Sequence, residues 1–294
     1  MTEPDRERKM KKRSSTVLLI LICLAGAALL LYPTVSEAWN RRHQSHAITG
    51  YSSFVQEMKD DESETVLEAA REYNRGILPG SIPQMTEERL EEYKTQLDPL
   101  GSGIMGYVEI PSIQCTLPIY HGTEETVLAA AVGHIEWSSL PVGGESTHCV
   151  ISGHRGLPSA KLFTHLDELS EGDIFLIKVL NETLTYEVDK ISVVLPEEVS
   201  SLCVMEGEDL CTLVTCTPYG INTHRLLVRG HRVENSKYGG NVHVTADAAV
   251  IKPLSVFPFA AAPLVLSLVI GLIIYDRQKK KRERRRKRRE NHNL

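Results

Sequence analysis

The chain has 294 residues, 42% of them hydrophobic, which is enough to build a packed core in one or two domains and excludes a chain too polar to fold. The formal net charge of −5 conceals an uneven distribution of charge along the chain. Residues 1–13 and 277–290 together hold 17 of the 33 basic groups but only five of the 38 acidic ones. The 263 residues between these basic ends therefore carry a net charge near −17.

The first predicted element is an apolar segment, Thr16 to Tyr32, which follows the basic N-terminal residues and contains no charge. Its length is near that of a helix that spans a bilayer. Ser36 and Ala38 have the small-x-small spacing of a signal-peptidase site, so a cleaved signal peptide is the alternative. Because 17 apolar residues are long for a signal peptide, we predict a cytoplasmic basic tail over residues 1–15 and a transmembrane anchor over residues 16–35.

Residues 36–100 are predicted to form a helical stalk. Residues 37–75 are rich in Glu, Ala, Lys and Arg, with apolar residues near helical spacing, and a second helix is expected over residues 86–97. The glycines and prolines of residues 76–86 break this helical pattern. The sequence therefore predicts a loop inside the stalk.

From residue 101 the sequence changes to short β-branched runs separated by turn residues, at the spacing of a barrel or sandwich. Because no helix recurs between these runs, a parallel βαβ sheet is not expected. We predict one mainly β, antiparallel domain with few helices over residues 101–235. Its strands are expected in the segments GYVEIP, IQCTLPIYHG, HCVISGH, DIFLIKVL, LTYEVDKISVVL, CTLVTCTP and RLLVRGHRV.

A polar connector, residues 236–253, leads to a second apolar segment at residues 254–275 and a basic tail at residues 276–294. Nucleic-acid binding is one interpretation of this tail, but its place directly behind an apolar segment favours contact with anionic lipid. Because Lys and Arg beside a membrane span stay in the cytoplasm, we predict two transmembrane helices with both termini inside the cell and residues 36–253 outside it. The expected partners therefore include membrane lipid and no nucleic acid.

The stretch TLVTCTPYGINTHR, residues 212–225, holds the strongest candidates for chemistry. Strand alternation places Cys216 on the face opposite to Cys211. A short turn-rich loop follows, so Arg225 at the start of the returning strand can lie close to Cys216. A nearby cation favours the thiolate, which is the nucleophilic form of cysteine.

Simpler interpretations of Cys216 stay open on these residues alone. It is either a buried structural thiol, as most free cysteines are, or a disulfide partner of Cys203 or Cys211. No CxxC or HxxxH spacing supports a zinc site. Outside the first apolar segment the chain has five cysteines, an odd number, so at least one thiol is unpaired or forms an intermolecular bond.

Cysteine catalysis also needs a proton donor, which is usually a histidine. Several histidines lie near predicted strand ends or loops, namely His121, His134, His148 and His154. Strand-end placement favours His154, which closes the HCVISGH strand before a turn, but the residues alone do not decide among the four.

The stretch TLVTCTPYGINTHRLLVRG resembles the signature of the sortases, cysteine transpeptidases of Gram-positive cell surfaces, at Thr212, Leu213, Thr215, Cys216 and Arg225. The segment THCVISGHRGLPSAKLFTHLDEL resembles the histidine segment of that family, which puts the catalytic histidine at His154. The segments GIMGYVEIPSIQCTLPIYHGT and VGHIEWSSLPVGG, with the second apolar segment, resemble the pilus-building class C branch.

The resemblance implies an eight-stranded sortase β-barrel with His154, Cys216 and Arg225 as catalytic residues and with no cofactor or metal. The Cys216 thiolate would attack the Thr–Gly bond of a Leu-Pro-x-Thr-Gly-type sorting signal. Arg225 would stabilise the oxyanion, and His154 would protonate the leaving amine. A pilin lysine would then resolve the thioester, so the expected partners are pilin subunits and surface proteins that bear a C-terminal sorting signal.

Class C sortases often carry a lid with an Asp-Pro-aromatic motif, and this chain departs from that pattern. The matching position holds Ile82-Pro83-Gln84, and the only Asp-Pro, Asp98-Pro99, is followed by Leu100. We therefore predict a lid-like loop over residues 76–86 without the usual plug. Two other functions remain as alternatives, a sortase that attaches proteins to peptidoglycan and a non-catalytic, membrane-anchored adhesion or scaffold domain.

Overall fold

A computed structural model describes residues 3–235 and, further on, residues 271, 274, 275 and 278. Among the described residues, those from Ser36 onward to residue 235 form one compact unit, to which the preceding part of the first helix does not belong. The predicted connector 236–253 lies outside the described residues. The second predicted transmembrane helix, residues 254–275, and the basic tail behind it lie almost entirely outside them.

The first helix, α1 (Glu3–Glu57), contains the first predicted transmembrane segment. Among the described residues it provides the one helix long and apolar enough to cross a membrane, by length and composition. Its apolar side chains between residues 18 and 35 are largely exposed, with Leu29 at 76%. An apolar surface of this length fits a lipid environment.

The helix predicted over residues 37–75 is interrupted in the structure at Met58 and Lys59. The chain continues as α2 (Asp60–Arg75), whose first turn holds three acidic residues, the charge that the positive end of a helix dipole favours. The helix predicted from residue 86 is confirmed as α3 (Glu87–Thr95). Thr86 caps α3, because its hydroxyl accepts a hydrogen bond from the backbone N–H of Arg89 at 3.3 Å.

Helical residues of the 36–100 region pack directly on the β-domain. The Tyr51 hydroxyl of α1 donates to the Met105 carbonyl at 2.9 Å and accepts from the Leu180 N–H at 2.7 Å. The Asn74 side chain of α2 makes a hydrogen bond in each direction with the backbone of Leu140. These buried polar contacts fix the helices at defined positions on the barrel.

The β-domain is a closed barrel of eight strands in the order β1-β2-β3-β4-β7-β8-β6-β5, as the family resemblance implied. Seven strands lie in the predicted segments, and the additional strand, β3, has only three residues. A one-turn helix, α4 (Glu125–Leu128), and 3-10 helices at Pro111–Ile113, Leu166–Glu168 and Ser200–Leu202 lie in the connections. The strands are β1 (Ile104–Ile110), β2 (Cys115–His121), β3 (Val132–His134), β4 (Thr147–Ser152), β5 (Ile174–Val179), β6 (Glu182–Val194), β7 (Asp209–Thr217) and β8 (His224–Val233).

The expectation of a purely antiparallel domain is wrong for two of the strand pairs. Strands β2 and β3 run parallel, and so do β4 and β7. Alternation of side chains along a strand shows which residues share a face, but it does not encode the direction of the neighbouring strand. The β5–β6 hairpin separates β4 from β7 in sequence, which allows β7 to return in the same direction as β4.

The two faces of the barrel wall form separate apolar clusters. The interior belongs to the main core and includes Ile151 of β4 and Leu213 of β7. An outer apolar cluster covers the other face of the same strands; it comprises Val150, Leu202, Val214 and Leu227, with Ile135, Trp137 and Val194 partly buried against them. All six cysteines are free thiols in this structure, so no bridge joins Cys203 to Cys211 or either of them to Cys216.

Candidate active site

The β7–β8 hairpin places Cys216 directly opposite Arg225 in the antiparallel register. Side chains of residues that face each other in this way lie on the same face, with Cβ atoms about 4.5–5.5 Å apart. The Arg225 guanidinium donates to the carbonyls of Asn222 at 3.3 Å and His224 at 3.2 Å, which holds it at the mouth of the hairpin. The proximity predicted from the short loop is confirmed.

Strand β4 lies on the other side of β7 and brings His154 to Cys216. The parallel register pairs Ser152 with Val214. The contact continues past the end of β4, because the Gly153 N–H donates to the Val214 carbonyl at 3.0 Å and the Thr215 hydroxyl donates to the Gly153 carbonyl at 2.8 Å. Continuing this register by one residue aligns His154 with Cys216.

The predicted site residues Cys216 and Arg225 thus face each other on β7 and β8, and His154 lies just past the end of β4, the strand on the other side of β7. Cys216 is partly exposed, and the His154 side chain is 28% exposed, so both are accessible from solvent. A thiol nucleophile, an imidazole that transfers protons and a guanidinium that can neutralise an oxyanion are the groups that acyl transfer requires. Within the described part of the chain, no group of three or more His, Cys, Asp or Glu side chains is arranged to hold a metal ion.

The other candidate histidines are occupied by structural contacts. His134 is fully buried, and its ring contacts the Tyr93 hydroxyl at 3.0 Å and the Ser139 carbonyl at 2.8 Å. The rings of His121 and His148 each contact backbone carbonyls, and burial lowers the pKa of both. Their surroundings favour neutral, fixed imidazoles rather than mobile proton carriers.

The outer apolar cluster lies next to Cys216 on the same face of the barrel. Val214 precedes Cys216 by two residues on β7, and Leu227 follows Arg225 by two residues on β8; the two are paired with each other in the register. The four buried members of this cluster are 0–6% exposed, so they are packed within the protein beside the strand end that carries Cys216.

Two further residues lie next to the predicted site residues and were missed from sequence: one contacts His154, and the other contacts the residue after Cys216. Glu125, the first residue of α4, has its carboxylate 3.4 Å from His154 Nε2. Arg155 reaches from the residue after His154 to the Thr217 hydroxyl at 3.4 Å. No local pattern singles out Glu125, since 29 residues separate it from His154; Arg155 carries only the weak signal of being next to the candidate histidine.

The predicted lid-like loop contacts the connection between β6 and β7. The Gly80 N–H donates to the Val204 carbonyl at 2.9 Å, while Leu78 and Ile82 on the same loop are exposed. Leu202, two residues before Val204, belongs to the outer apolar cluster. The loop is therefore attached to the segment that supplies one edge of that cluster.

Comparison with known proteins agrees with this geometry. Residues 108–233 match the Sortase domain family. The chain is 49% identical to sortase C1 from Streptococcus agalactiae, whose crystal structure it matches with a TM-score of 0.63 over 65% of this chain and 99% of that one. The chain belongs to the sortase family. It is also 43% identical to sortase C from Streptococcus pneumoniae, with a TM-score of 0.58 over 64% of this chain and 97% of that one.

A more distant relative is Sortase A from Streptococcus agalactiae, 24% identical over 242 residues that make up 81% of this chain and 90% of that protein. The higher identity to the sortase C structures makes this chain a sortase of class C type. Sortases are cysteine transpeptidases that act on proteins bearing sorting signals, so the alternative of a non-catalytic scaffold is wrong. They are membrane-associated, and α1 supplies a candidate span.

Proposed function

We propose that this sortase polymerises pilin subunits through a thioester on Cys216. The observation that supports the proposal most directly is the hairpin register that pairs Cys216 with Arg225, together with the pairing of β4 and β7, which ends two residues before His154. The crystal structure of the Streptococcus pneumoniae enzyme is described as informative on pilin substrate specificity, and its 43% identity supports the same class of substrate here.

The first half-reaction cleaves a Leu-Pro-x-Thr-Gly-type sorting signal between Thr and Gly. The Cys216 sulfur attacks the threonine carbonyl carbon, and Arg225 stabilises the negative charge that develops on the carbonyl oxygen. His154 donates a proton to the glycine nitrogen as the C–N bond breaks, which leaves a threonyl thioester on Cys216. The leucine and proline of the signal bind beside the thiol and hold the scissile bond in place for the attack.

The second half-reaction transfers the acyl group to a pilin lysine. The lysine amine attacks the thioester carbon, its proton passes to His154, and the Cys216 thiolate leaves as the isopeptide bond forms. In the proposed topology the barrel lies outside the membrane, both termini lie in the cytoplasm, and residues 16–35 and 254–275 span the bilayer. Residues 76–86 act in this scheme as a lid without the acid-and-aromatic plug.

The proposal is tested by incubating the full-length, detergent-solubilised enzyme with a sorting-signal peptide and a pilin that carries candidate lysines. We expect an acyl adduct at Cys216 by mass spectrometry and a covalent pilin ladder on a denaturing gel. The Cys216→Ala variant should give neither, and Cys203→Ala, which removes another partly exposed thiol, should give both. Ladders formed by the Cys216→Ala enzyme would refute the mechanism.

The same assay separates pilin polymerisation from anchoring to peptidoglycan. Supplying an amine-bearing cell-wall fragment together with the pilin makes the two acceptors compete for one thioester. Preferential isopeptide formation on the pilin is expected. Transfer only to the cell-wall amine would show that the acceptor is peptidoglycan and not pilin, and it would leave the proposed roles of the site residues unchanged.

A further inference from the structure

Arg155 lies at the junction between the histidine segment and the cysteine segment. It directly follows His154, and its side chain is only 8% exposed. The backbone carbonyl of His154 accepts from the Phe163 N–H at 3.1 Å, and the Gly156 N–H donates to the Thr164 hydroxyl at 3.1 Å. The loop after β4 is therefore closed on itself, and the Arg155 side chain leaves it toward β7.

On the β7 side, the Arg155 guanidinium contacts two residues that follow the nucleophile. Nη1 donates to the hydroxyl of Thr217 at 3.4 Å, and the guanidinium carbon lies 5.8 Å from the centre of the Tyr219 ring. The Tyr219 ring also lies against Gly156, where an added Cβ would come within 3.0 Å of it. The segments after His154 and after Cys216 are thus in direct contact through one side chain.

The charge of Arg155 is balanced from within its own loop. Nη2 forms an ion pair with Asp167 at 2.5 Å, in the 3-10 helix Leu166–Glu168. The guanidinium therefore uses one edge for a carboxylate, another for a hydroxyl, and its face for an aromatic ring. A planar five-donor group can do all three at once, whereas a lysine ammonium cannot stack and offers only a point charge.

We propose that Arg155 is a positioning residue that sets the separation between the His154 imidazole and the Cys216 thiol. His154 lies beyond the last described backbone hydrogen bond between β4 and β7, which joins Gly153 to Val214. Without the contact to Thr217 and Tyr219, the imidazole has more freedom to move away from the thiol. Proton transfer to the leaving amine depends steeply on that geometry, and a displacement of about 1 Å lowers a rate by on the order of 100-fold.

The inference rests on the proposed function, and its test uses the full-length enzyme with a sorting-signal peptide as the probe. The informative change is Arg155→Lys, which keeps the charge and loses the planar fork. We expect kcat to fall by about 10- to 100-fold with KM changed by less than about 2-fold. Alkylation of Cys216 by iodoacetamide needs no proton transfer to a leaving amine, so its rate should stay within about 2-fold of wild type.

Arg229 provides the matched control. It is another partly buried arginine on the barrel, with a two-pronged ion pair to Asp189 at 2.7 and 3.0 Å. Arg229→Lys should lower the melting temperature as much as Arg155→Lys does and leave kcat unchanged. If Arg155→Lys folds poorly, Thr217→Val removes the hydroxyl partner within β7 and is expected to lower kcat several-fold with KM retained.

Three results would overturn the inference. They are a kcat for folded Arg155→Lys within about 2-fold of wild type, a raised KM with unchanged kcat, or an equal loss of kcat in Arg229→Lys. Failure of the proposed function gives a different pattern, because the wild-type enzyme itself would then neither cleave the peptide nor form an adduct at Cys216. Suppose that the wild-type enzyme cleaves the peptide, Cys216→Ala does not, and Arg155→Lys keeps the wild-type kcat. That combination would reject the positioning role of Arg155 and leave the proposed function standing.

Discussion

Strand β7 carries two cysteines five residues apart, and their surroundings differ in every respect that governs thiol chemistry. Cys216 lies on the outer face at the end of the strand, partly exposed, beside His154 and opposite Arg225. Cys211 lies on the inner face, fully buried, paired in the register with Cys149 of β4. Burial raises the pKa of the Cys211 thiol well above its ordinary value.

The difference shows that residue type and strand membership do not make a nucleophile. Burial in apolar surroundings disfavours the thiolate, which makes Cys211 behave as a small apolar side chain. Cys216 differs in access, since it lies partly exposed at the end of the strand, where a substrate or reagent can reach its sulfur. The same alternation that hides Cys211 in the core turns Cys216 outward, since their positions along the strand differ by five, an odd number.

The largest expected effect comes from exchanging each cysteine for serine. Cys216→Ser should lower the rate of sorting-peptide cleavage by at least about 10³-fold, because a hydroxyl is a far weaker nucleophile here, with little change in melting temperature. Cys211→Ser should instead lower the free energy of unfolding by about 1–3 kcal/mol, because it places a hydroxyl in the core. The folded variant should cleave the sorting peptide at the wild-type rate. Cleavage assays and thermal unfolding of both variants check the contrast, which fails if Cys211→Ser abolishes cleavage without destabilising the fold.

The second prediction, of intermediate size, compares the rates at which two thiols are alkylated. Burial raises the pKa of Cys115 to about 12, and its thiol donates to the Leu162 carbonyl at 3.7 Å. Between pH 6 and 9 we expect iodoacetamide to label Cys216 at least about 100-fold faster than Cys115, because the raised pKa of Cys115 keeps its sulfur protonated and unreactive. Peptide mapping by mass spectrometry after timed labelling measures both rates; Cys203→Ser, which removes another partly exposed thiol, simplifies the map.

The raised pKa of Cys115 also predicts how the free energy of unfolding depends on pH. The pKa of Cys115 is higher in the folded chain than the ordinary value of 9.0, so its contribution to the free energy of unfolding is fully present below pH 9. It is lost progressively as the pH rises from there toward 12. Comparable alkylation of Cys115 and Cys216 in the folded enzyme at pH 8 would show that the surroundings of Cys115 do not suppress its thiolate.

The smallest expected effect is that of Glu125. Its carboxylate is 3.4 Å from His154 Nε2, but the side chain is 82% exposed, and solvent screens such a pair strongly. Glu125→Gln should therefore lower kcat/KM by less than about 3-fold. Glu124→Gln is a control that removes the same charge from the adjacent residue, and steady-state kinetics compare the two. A loss of about 100-fold in Glu125→Gln alone would give this carboxylate a much larger part in catalysis than its exposure predicts.

Most of the fold could be predicted from sequence because its signals are local. Seven strands follow from β-branched runs between turns, and Thr86 marks the start of α3. The strand β3 was missed because three residues are too few for a periodic pattern. The break between α1 and α2 was missed because Met58 and Lys59 are both good helix formers and carry no stop signal.

By itself, the sequence showed that Cys216 and Arg225 can lie close, because a short loop joins their two strands. The structure then paired them directly in the register of the hairpin. It also determined which face each cysteine of β7 occupies, through the two-residue period of a strand. Only the tertiary structure decided that His154 joins them. Sixty-two residues separate His154 from Cys216, and their proximity depends on the parallel pairing of β4 with β7, whose direction no local pattern encodes.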